Sequence, residues 1–408
     1  MAVQGAPQIL WRNKGIMTDK QAEARPWGDH QFSIYLDGTA GRYPVLPMGY
    51  GAMARAARKL LDPRAYWYVA GGAGIEAMRA NRAALRRWAI VPRMLRDCSA
   101  RQYACTIFGQ RFAAPVLLAP VGVQGMLHPH GELATARAAA TLGLPLITSL
   151  VSSHSLEDIA AQMDISPRWF QLYWPRDWEL TASLIQRAER AGYTALVVTL
   201  DTRTIGWRDK DLGRGFLPFL EGQGLANYTS DPVFQQRLGG GGTAAVPLVW
   251  ASLYSDLAHT WQDVARLRQL TKLPLLFKGI MHPDDARMAV DCGADGLIIS
   301  NHGGRQVNGA MASLDALVMV RSALGDAVPL LFDSGIRHGA EAVKALALGA
   351  QAVLLGRPYL WGLVLAGEAG VAEVCRRFLA EFDLTMVLAG LRSLGDLQEG
   401  ILQHRVAR

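Results

Sequence analysis

From Pro115 onward the chain alternates short, continuously apolar runs with stretches whose apolar residues recur at helical spacing. The runs are PVLLAPVG (115–122), LPLITSL (144–150), RWFQLYW (168–174), ALVVTLD (195–201), LPLLFKG (273–279), GLIISNH (296–302), VPLLFDSG (328–335) and AVLLGRP (352–358). Each is hydrophobic at successive positions rather than at every second one, the pattern of parallel strands buried on both faces. The stretches between them, among them GELATARAAATLG, ELTASLIQRAERAG and AEAVKALALGA, read as helices. Eight strands alternating with helices predict an α/β fold, a (β/α)8 TIM barrel. A doubly wound open sheet is the alternative, but it calls for no eightfold count.

One interval breaks the rhythm. After the fourth run comes a long insertion, about 209–260, where a connecting unit is normally far shorter. It holds LPFLEGQGLANYTSDPVF and the run Gly239–Gly242, which predicts a flexible stretch. Because it leaves the C-terminal end of a strand, it is expected as a surface excursion or as a lid over the barrel mouth. Residues 1–110 are expected as a capping segment of the same domain, 111–390 as the barrel and 391–408 as a tail.

Composition narrows the function classes. The 408 residues are 50% hydrophobic, enough for a large core. A formal net charge of +7 points to anionic ligands. Basic residues are mixed with acidic ones, as in Arg187-Ala188-Glu189-Arg190, so a nucleic-acid partner is not expected. Cys98, Cys105, Cys292 and Cys375 show no C-x-x-C spacing and are expected as reduced thiols. The first twenty residues lack a cationic start followed by an apolar core, and no apolar run is long enough to span a membrane. A cytoplasmic protein without a membrane partner is the expectation. His128 and His130 lack the spacing of a zinc site, so no metal is expected. G-x-G-x-x-G, G-x-S-x-G and Walker motifs are absent.

In such a barrel, chemistry collects at the C-terminal strand ends. Those ends carry Pro120-Val121-Gly122, then Thr148-Ser149, then Gln171 and Tyr173. Next come Thr199 and Asp201 with Arg208 beyond, and Lys278. The last three ends carry Ser300, His302 and Arg305; Asp333, Ser334, Gly335 and Arg337; and Gly356 and Arg357. Singly, Asp333 or Ser149 reads as a loop tie, Tyr173 as a core residue, and an arginine as a salt-bridge partner. Lys278 is harder to dismiss, because a lysine ending LPLLF is costly to bury without an anion. His302 beside Gly303-Gly304 has no packing rationale. The last two ends, DSGIR and GRP, combine glycines that admit a phosphate to backbone N–H groups with fork-shaped arginine donors. The set suits a planar, phosphate-bearing cofactor with a small anionic substrate beside it.

With these residues in place, the chain resembles the FMN-dependent α-hydroxy-acid oxidase family. SNHGGRQ (300–306) carries the resemblance, with FQLY (170–173), TLDT (199–202), KG (278–279), DSGIR (333–337) and GRP (356–358) in the same order. Within the family, WGD (27–29), YVAGGAG (68–74), GWRDKDL (206–212), LANYTSDPVFQ (225–235) and GRPYLWG (356–362) are closest to the lactate 2-monooxygenase branch. The resemblance implies FMN as cofactor and a small L-2-hydroxy acid and O2 as substrates. It also implies a homotetramer or homo-octamer. His302 would accept the substrate's hydroxyl proton and Asp201 would stabilise the imidazolium. Arg208 and Arg305 would bind the carboxylate, with Tyr68 and Tyr173 bonding carboxylate and hydroxyl. Lys278 would stabilise the reduced flavin. Pro120, Val121, Gly122, Ser149, Gln171, Thr199 and Ser300 would hold the ring, and Asp333, Ser334, Gly335, Arg337, Gly356 and Arg357 the phosphate. Gly122 stands where simple oxidases of the family usually carry alanine. The missing methyl is expected to alter oxygen access and product retention. Met126, Leu150 and Trp207 are expected to line the substrate pocket. Alternatives are an oxidase releasing peroxide, a dehydrogenase with another acceptor, a flavin-free phosphate-ligand barrel, and a non-catalytic flavin scaffold.

Overall fold

The computed structural model describes residues 26–405, so the first twenty residues, in which no leader is expected, lie outside it. The apolar runs form eight parallel strands. They are β1 Val116–Leu118, β2 Leu146–Ser149, β3 Arg168–Tyr173, β4 Leu196–Thr199, β5 Leu275–Ile280, β6 Gly296–Ile299, β7 Leu330–Phe332 and β8 Ala352–Leu355. They pair in chain order, and β8 returns to β1, with Val353 opposite Val116, to close a barrel. The pairing takes in several polar residues near the strand ends, with Ser149 opposite Gln171, Tyr173 opposite Thr199 and Thr199 opposite Lys278.

The barrel interior is solid. Leu117, Ile147, Trp169, Val197, Leu276, Ile298, Leu331 and Leu354 form one buried cluster. A hairpin, Cys105–Ile107 with Gln110–Phe112, stops its N-terminal end, and Phe108 and Phe112 pack on Trp169 at ring distances of 5.8 and 5.9 Å. A fully buried ring such as Phe112 contributes about 3–5 kcal/mol. The larger cluster lies between the strands and the surrounding helices. Open space is therefore left at the C-terminal end.

Two segments wall that end. One is N-terminal to the barrel. Its helix Pro63–Ala70 starts at Asp62, whose side chain accepts from Arg64 N, with proline in the first turn. That helix brings Tyr68 to the mouth, and Glu76–Arg87 follows. Near the other end of the described residues, the strand Leu402–His404 pairs antiparallel with Trp88–Ile90.

The other wall is the insertion, which folds into short helices ending with Gly242–Leu253. Its anchor is Asn227, fully buried, whose Nδ2 donates to Leu150 O at 2.8 Å while Oδ1 accepts from Leu156 N at 2.7 Å. The glycine run forms a turn between helices. Gly239 ends Pro232–Leu238 in the left-handed conformation, φ 58°, and the next helix starts at Gly242. Among the described residues, no helix is long and apolar enough to cross a membrane.

Candidate active site

The strand ends converge on one cavity at the barrel mouth. One side of it is a connected acid–base group. His302 Nδ1 lies 2.7 Å from Asp201 Oδ1 and 3.1 Å from Thr202 Oγ1, and Thr202 donates to Asp201 at 2.8 Å. Lys278 Nζ donates to Ser300 Oγ at 2.9 Å and sits 3.5 Å from Asp333 Oδ2 and 3.9 Å from Asp201 Oδ2. Local backbone geometry brings these groups together. A register shift in β5 falls between Lys278 and Ile280, and Gly279 there has φ 104°. A Cβ on Gly279 would lie 2.6 Å from Asp201 Cβ, so only glycine lets the two strand ends close up.

The electrostatics follow from burial and neighbours. Burial alone would raise the Asp201 carboxyl, but His302 and Lys278 outweigh it and hold it at about 2. Burial would lower Lys278, yet Asp333 and Asp201 raise it, so it stays charged. Burial pushes His302 below the ordinary imidazole range, and Lys278 pushes the same way against Asp201. Burial thus favours the neutral imidazole, and the neighbouring charges favour an ionised Asp201. With Nδ1 engaged, Nε2 is the free nitrogen.

The other side carries guanidinium groups. Arg208 and Arg305 stand 5.9 and 5.0 Å from the Tyr68 ring centre. Arg305 donates to the Tyr68 and Gly71 carbonyls. Burial, then Arg208, pushes Arg305 down to about 9. A guanidinium does not give up its proton readily, so Arg305 stands as a buried cation beside a second one. Arg337 lies 3.9 Å from the Tyr50 ring centre, and burial lowers it too. Among the described residues, none of Arg208, Arg305, Arg337 and Arg357 forms an ion pair with a carboxylate. Arg357 is the most occupied, donating to the Val69, Gly303 and Gly71 carbonyls at 2.8, 3.1 and 2.8 Å.

The donor set fits FMN. Gln171 Oε1 accepts from Ser149 Oγ at 2.9 Å, but its buried Nε2 has no acceptor, as expected of a donor awaiting a polar ring edge. Pro120, Val121 and Gly122 line the cavity beside it. Asp333, Ser334, Gly335, Arg337, Gly356 and Arg357 also line it, and their cations and glycines suit a phosphate. Ser149, Thr199, Asp201 and Ser300 are buried or half-buried just behind the lining. Tyr68, Tyr173, Arg208, Lys278, His302 and Arg305 face in.

Three expectations fail. Trp207 is 74% exposed, with Nε1 on Asp209 at 2.9 Å, so it points away from the cavity. Leu150 is packed in the core, and Met126 lies outside the lining. Their place is taken by Val151, Ile205, Phe219 and Tyr254. Gly122 leaves no void: a Cβ there would meet Val151 O at 2.3 Å, so glycine lets the loop after β1 pack on the loop after β2. Arg82, which lines the cavity and pairs with Glu341, also escaped the sequence reading. It sits inside an ordinary charged helix pattern, and no local signal marks it.

The family profile described as FMN-dependent dehydrogenase matches residues 57–404. The chain is 44% identical over 386 residues to the FMN-dependent alpha-hydroxy acid dehydrogenase qulF of Penicillium citrinum, covering 93% of this chain and 96% of that one. It is 41% identical over 354 residues to L-lactate oxidase of Lysinibacillus sphaericus, covering 86% and 92%. A crystal structure of mandelate oxidase with (S)-4-hydroxymandelic acid superposes with a TM-score of 0.78 at 40% identity, covering 88% of this chain and 98% of that one. The chain belongs to the family of FMN-dependent α-hydroxy-acid dehydrogenases and oxidases, and it carries out FMN-dependent α-hydroxy-acid oxidation.

Proposed function

We propose that the substrate is a small L-2-hydroxy acid, with L-lactate first, and that the protein acts as a lactate 2-monooxygenase. The net reaction is lactate plus O2 giving acetate, CO2 and water. Bound FMN supplies the two-electron acceptor for the α-hydrogen and the route by which O2 is reduced. The chain's own residues do the rest. Arg208 and Arg305 grip the carboxylate, and Tyr68 and Tyr173 fix the hydroxyl and carboxylate orientation. Neutral His302 takes the hydroxyl proton on Nε2, and Asp201 holds the resulting imidazolium. Because burial lowers His302, the base stays unprotonated through neutral pH and is lost only on the acid side. Lys278 balances negative charge at the ring. Gln171, Ser149, Thr199, Ser300 and the backbone at 120–122 hold the ring. Asp333, Ser334, Gly335, Arg337, Gly356 and Arg357 hold the phosphate.

The observation that carries the monooxygenase reading is the anchored wall. Phe219 and Tyr254 of the insertion face the cavity, Trp250 backs both at ring distances of 4.7 and 5.0 Å, and Asn227 ties the insertion to the loop after β2. A firmly walled pocket favours retention of the keto acid, which peroxide then decarboxylates in place. The names of the relatives favour the second reading, an oxidase that releases keto acid and peroxide. The test is product analysis with L-lactate in air, without catalase. Acetate and CO2 with little free peroxide is the expected result. Pyruvate with equimolar peroxide establishes the oxidase. No turnover with bound flavin moves the substrate to larger 2-hydroxy acids. Self-association fits the exposed Phe32, Tyr35, Leu36 and Tyr43 ahead of the barrel, and light scattering measures it.

A further inference from the structure

We propose that Asn81, on a helix outside the barrel, is a positioning residue: paired with Asn301, it buttresses the turn that aims His302. The inference rests on the reading of His302 as the proton acceptor. His302, Gly303 and Gly304 run consecutively through the left-handed region, with φ of 56°, 64° and 75°. Glycine does this freely, but histidine does so at a cost of about 1–2 kcal/mol. The strand supplies nothing here, because β6 has ended at Ile299. The turn has its own backbone bond and two hydroxyl partners, Ser300 Oγ accepting from His302 N and Ser334 Oγ from Gly303 N, both at 3.0 Å, and the Asn81–Asn301 pair adds to them.

The side chains of Asn81 and Asn301 face each other as a reciprocal amide pair. Asn81 Nδ2 donates to Asn301 Oδ1 at 2.8 Å, and Asn301 Nδ2 donates back to Asn81 Oδ1 at 2.9 Å. They are 3% and 6% exposed. Each amide also grips backbone. Asn301 Oδ1 accepts from Gly304 N at 3.1 Å, beside the backbone bond from Gly304 N to Asn301 O at 2.9 Å, and so buttresses the turn around His302. Asn301 Nδ2 also donates to Met311 O at 3.1 Å, and Asn81 Oδ1 accepts from Ser313 N at 3.0 Å. Ser313 Oγ accepts from Asn301 N at 2.9 Å, which completes the loop of bonds. A buried amide engaged in this way has no second rotamer of comparable energy. Asn81 therefore locks Asn301, and Asn301 Oδ1 shapes the turn that carries the base.

The carboxylate clamp is anchored elsewhere, since Arg305 is held by the Tyr68 and Gly71 carbonyls. Base and clamp share a loop but not a support. Removing Asn81 should misplace the base and spare the clamp. A misplacement near 1 Å costs on the order of 10²-fold in rate.

The test compares Asn81→Ala, Asn301→Ala, the double variant and His302→Gln, all as FMN-loaded protein. Flavin reduction by L-lactate is followed anaerobically in a single turnover, with (S)-mandelate used if lactate does not reduce the flavin. Pyruvate affinity is measured by calorimetry. Asn81→Ala is expected to slow reduction about 10–100-fold while the pyruvate Kd stays within about threefold. The double variant is expected to be no slower than the slower single one, because the pair acts as a unit. If Asn81→Ala does not fold, Asn81→Ser is read the same way. Wild-type reduction in the folded Asn81 variant, with a slow His302→Gln, overturns this inference alone. So does a pyruvate affinity that falls in step with the rate. Fast reduction in His302→Gln overturns the reading of the base and the inference with it.

Discussion

The two sides of the barrel mouth treat charge in opposite ways. Around His302 every ionisable group has its counter-charge within the chain: Asp201 at 2.7 Å, and Lys278 between Asp333 at 3.5 Å and Asp201 at 3.9 Å. Across the cavity, Arg208, Arg305, Arg337 and Arg357 stand without a carboxylate partner among the described residues. The paired side is complete before any ligand arrives, which suits groups that must move a proton without reorganising. The unpaired side is incomplete until anions bind, which suits a phosphate and a carboxylate. On the proposed reading, the position of the charge balance separates the residues that react from those that hold.

The largest effect should come from the paired side. His302→Gln keeps the size and a hydrogen-bonding group but cannot take up a proton. Substrate-driven flavin reduction is expected to fall by about 10²–10⁴-fold, with FMN still bound. Anaerobic stopped-flow measures it. A rate within tenfold of wild type would move the chemistry away from this pair and break the comparison at its root.

Stability should separate the sides next, and in opposite directions. Asp201→Ala leaves His302 and Lys278 without their shared carboxylate, and is expected to cost about 3–5 kcal/mol. Arg305→Leu removes a buried cation that has no anion, so apoprotein stability should stay within about 1 kcal/mol of wild type. The same change should lower kcat/KM by about 10²–10³-fold, through loss of a charge-assisted fork. Urea melts of the two apoproteins, with kinetics on the reloaded Arg305 variant, read both numbers. Equal losses of stability would show that Arg305 is structural and that the contrast is false.

How much of this was legible in the sequence follows from the same distinction between local and distant causes. The eight strands could be read because double-sided burial writes itself into consecutive residues. The strand-end residues could be read because the barrel sends every such end to one face. Side-chain direction was not legible. Leu150 follows β2 directly yet packs into the core, while its neighbour Val151 reaches the cavity. Distant partners were invisible for a different reason. Asn81, Arg82, Phe219, Asn227 and Tyr254 come from the segment before the barrel or from the insertion, and their neighbours across the mouth are set by tertiary packing. Gly122 was expected to bear on oxygen access, whereas the contact that calls for glycine there, the Val151 carbonyl, lies on another strand's loop.

The smallest expected effect tests whether an unpaired buried charge always marks a ligand site. Glu132 is buried and lies outside the cavity lining. Its Oε1 accepts from Gln124 N at 2.9 Å and Ser153 N at 3.0 Å, bracing the loop after β1 against the loop after β2. His154, 3.4 Å away, is pushed down by burial and is a poor source of positive charge. Burial raises the Glu132 carboxyl to about 7, against roughly 4.3 in an unfolded chain. Between those values the folded state keeps a proton that the unfolded state has released. Stability should therefore fall as pH rises through that window, by about 2–3 kcal/mol at most. Glu132→Gln keeps the accepting oxygen and removes the titration. It is expected to flatten the decline in Tm between pH 4.5 and pH 7, while kcat/KM stays within about twofold because no ligand is held there. Thermal melts across that range, with lactate kinetics at pH 7, decide it. A large kinetic loss would place this carboxylate with the arginines, as a charge waiting for a ligand. An unchanged slope would mean that Glu132 is ionised in the fold and that its two N–H donors suffice to carry the charge.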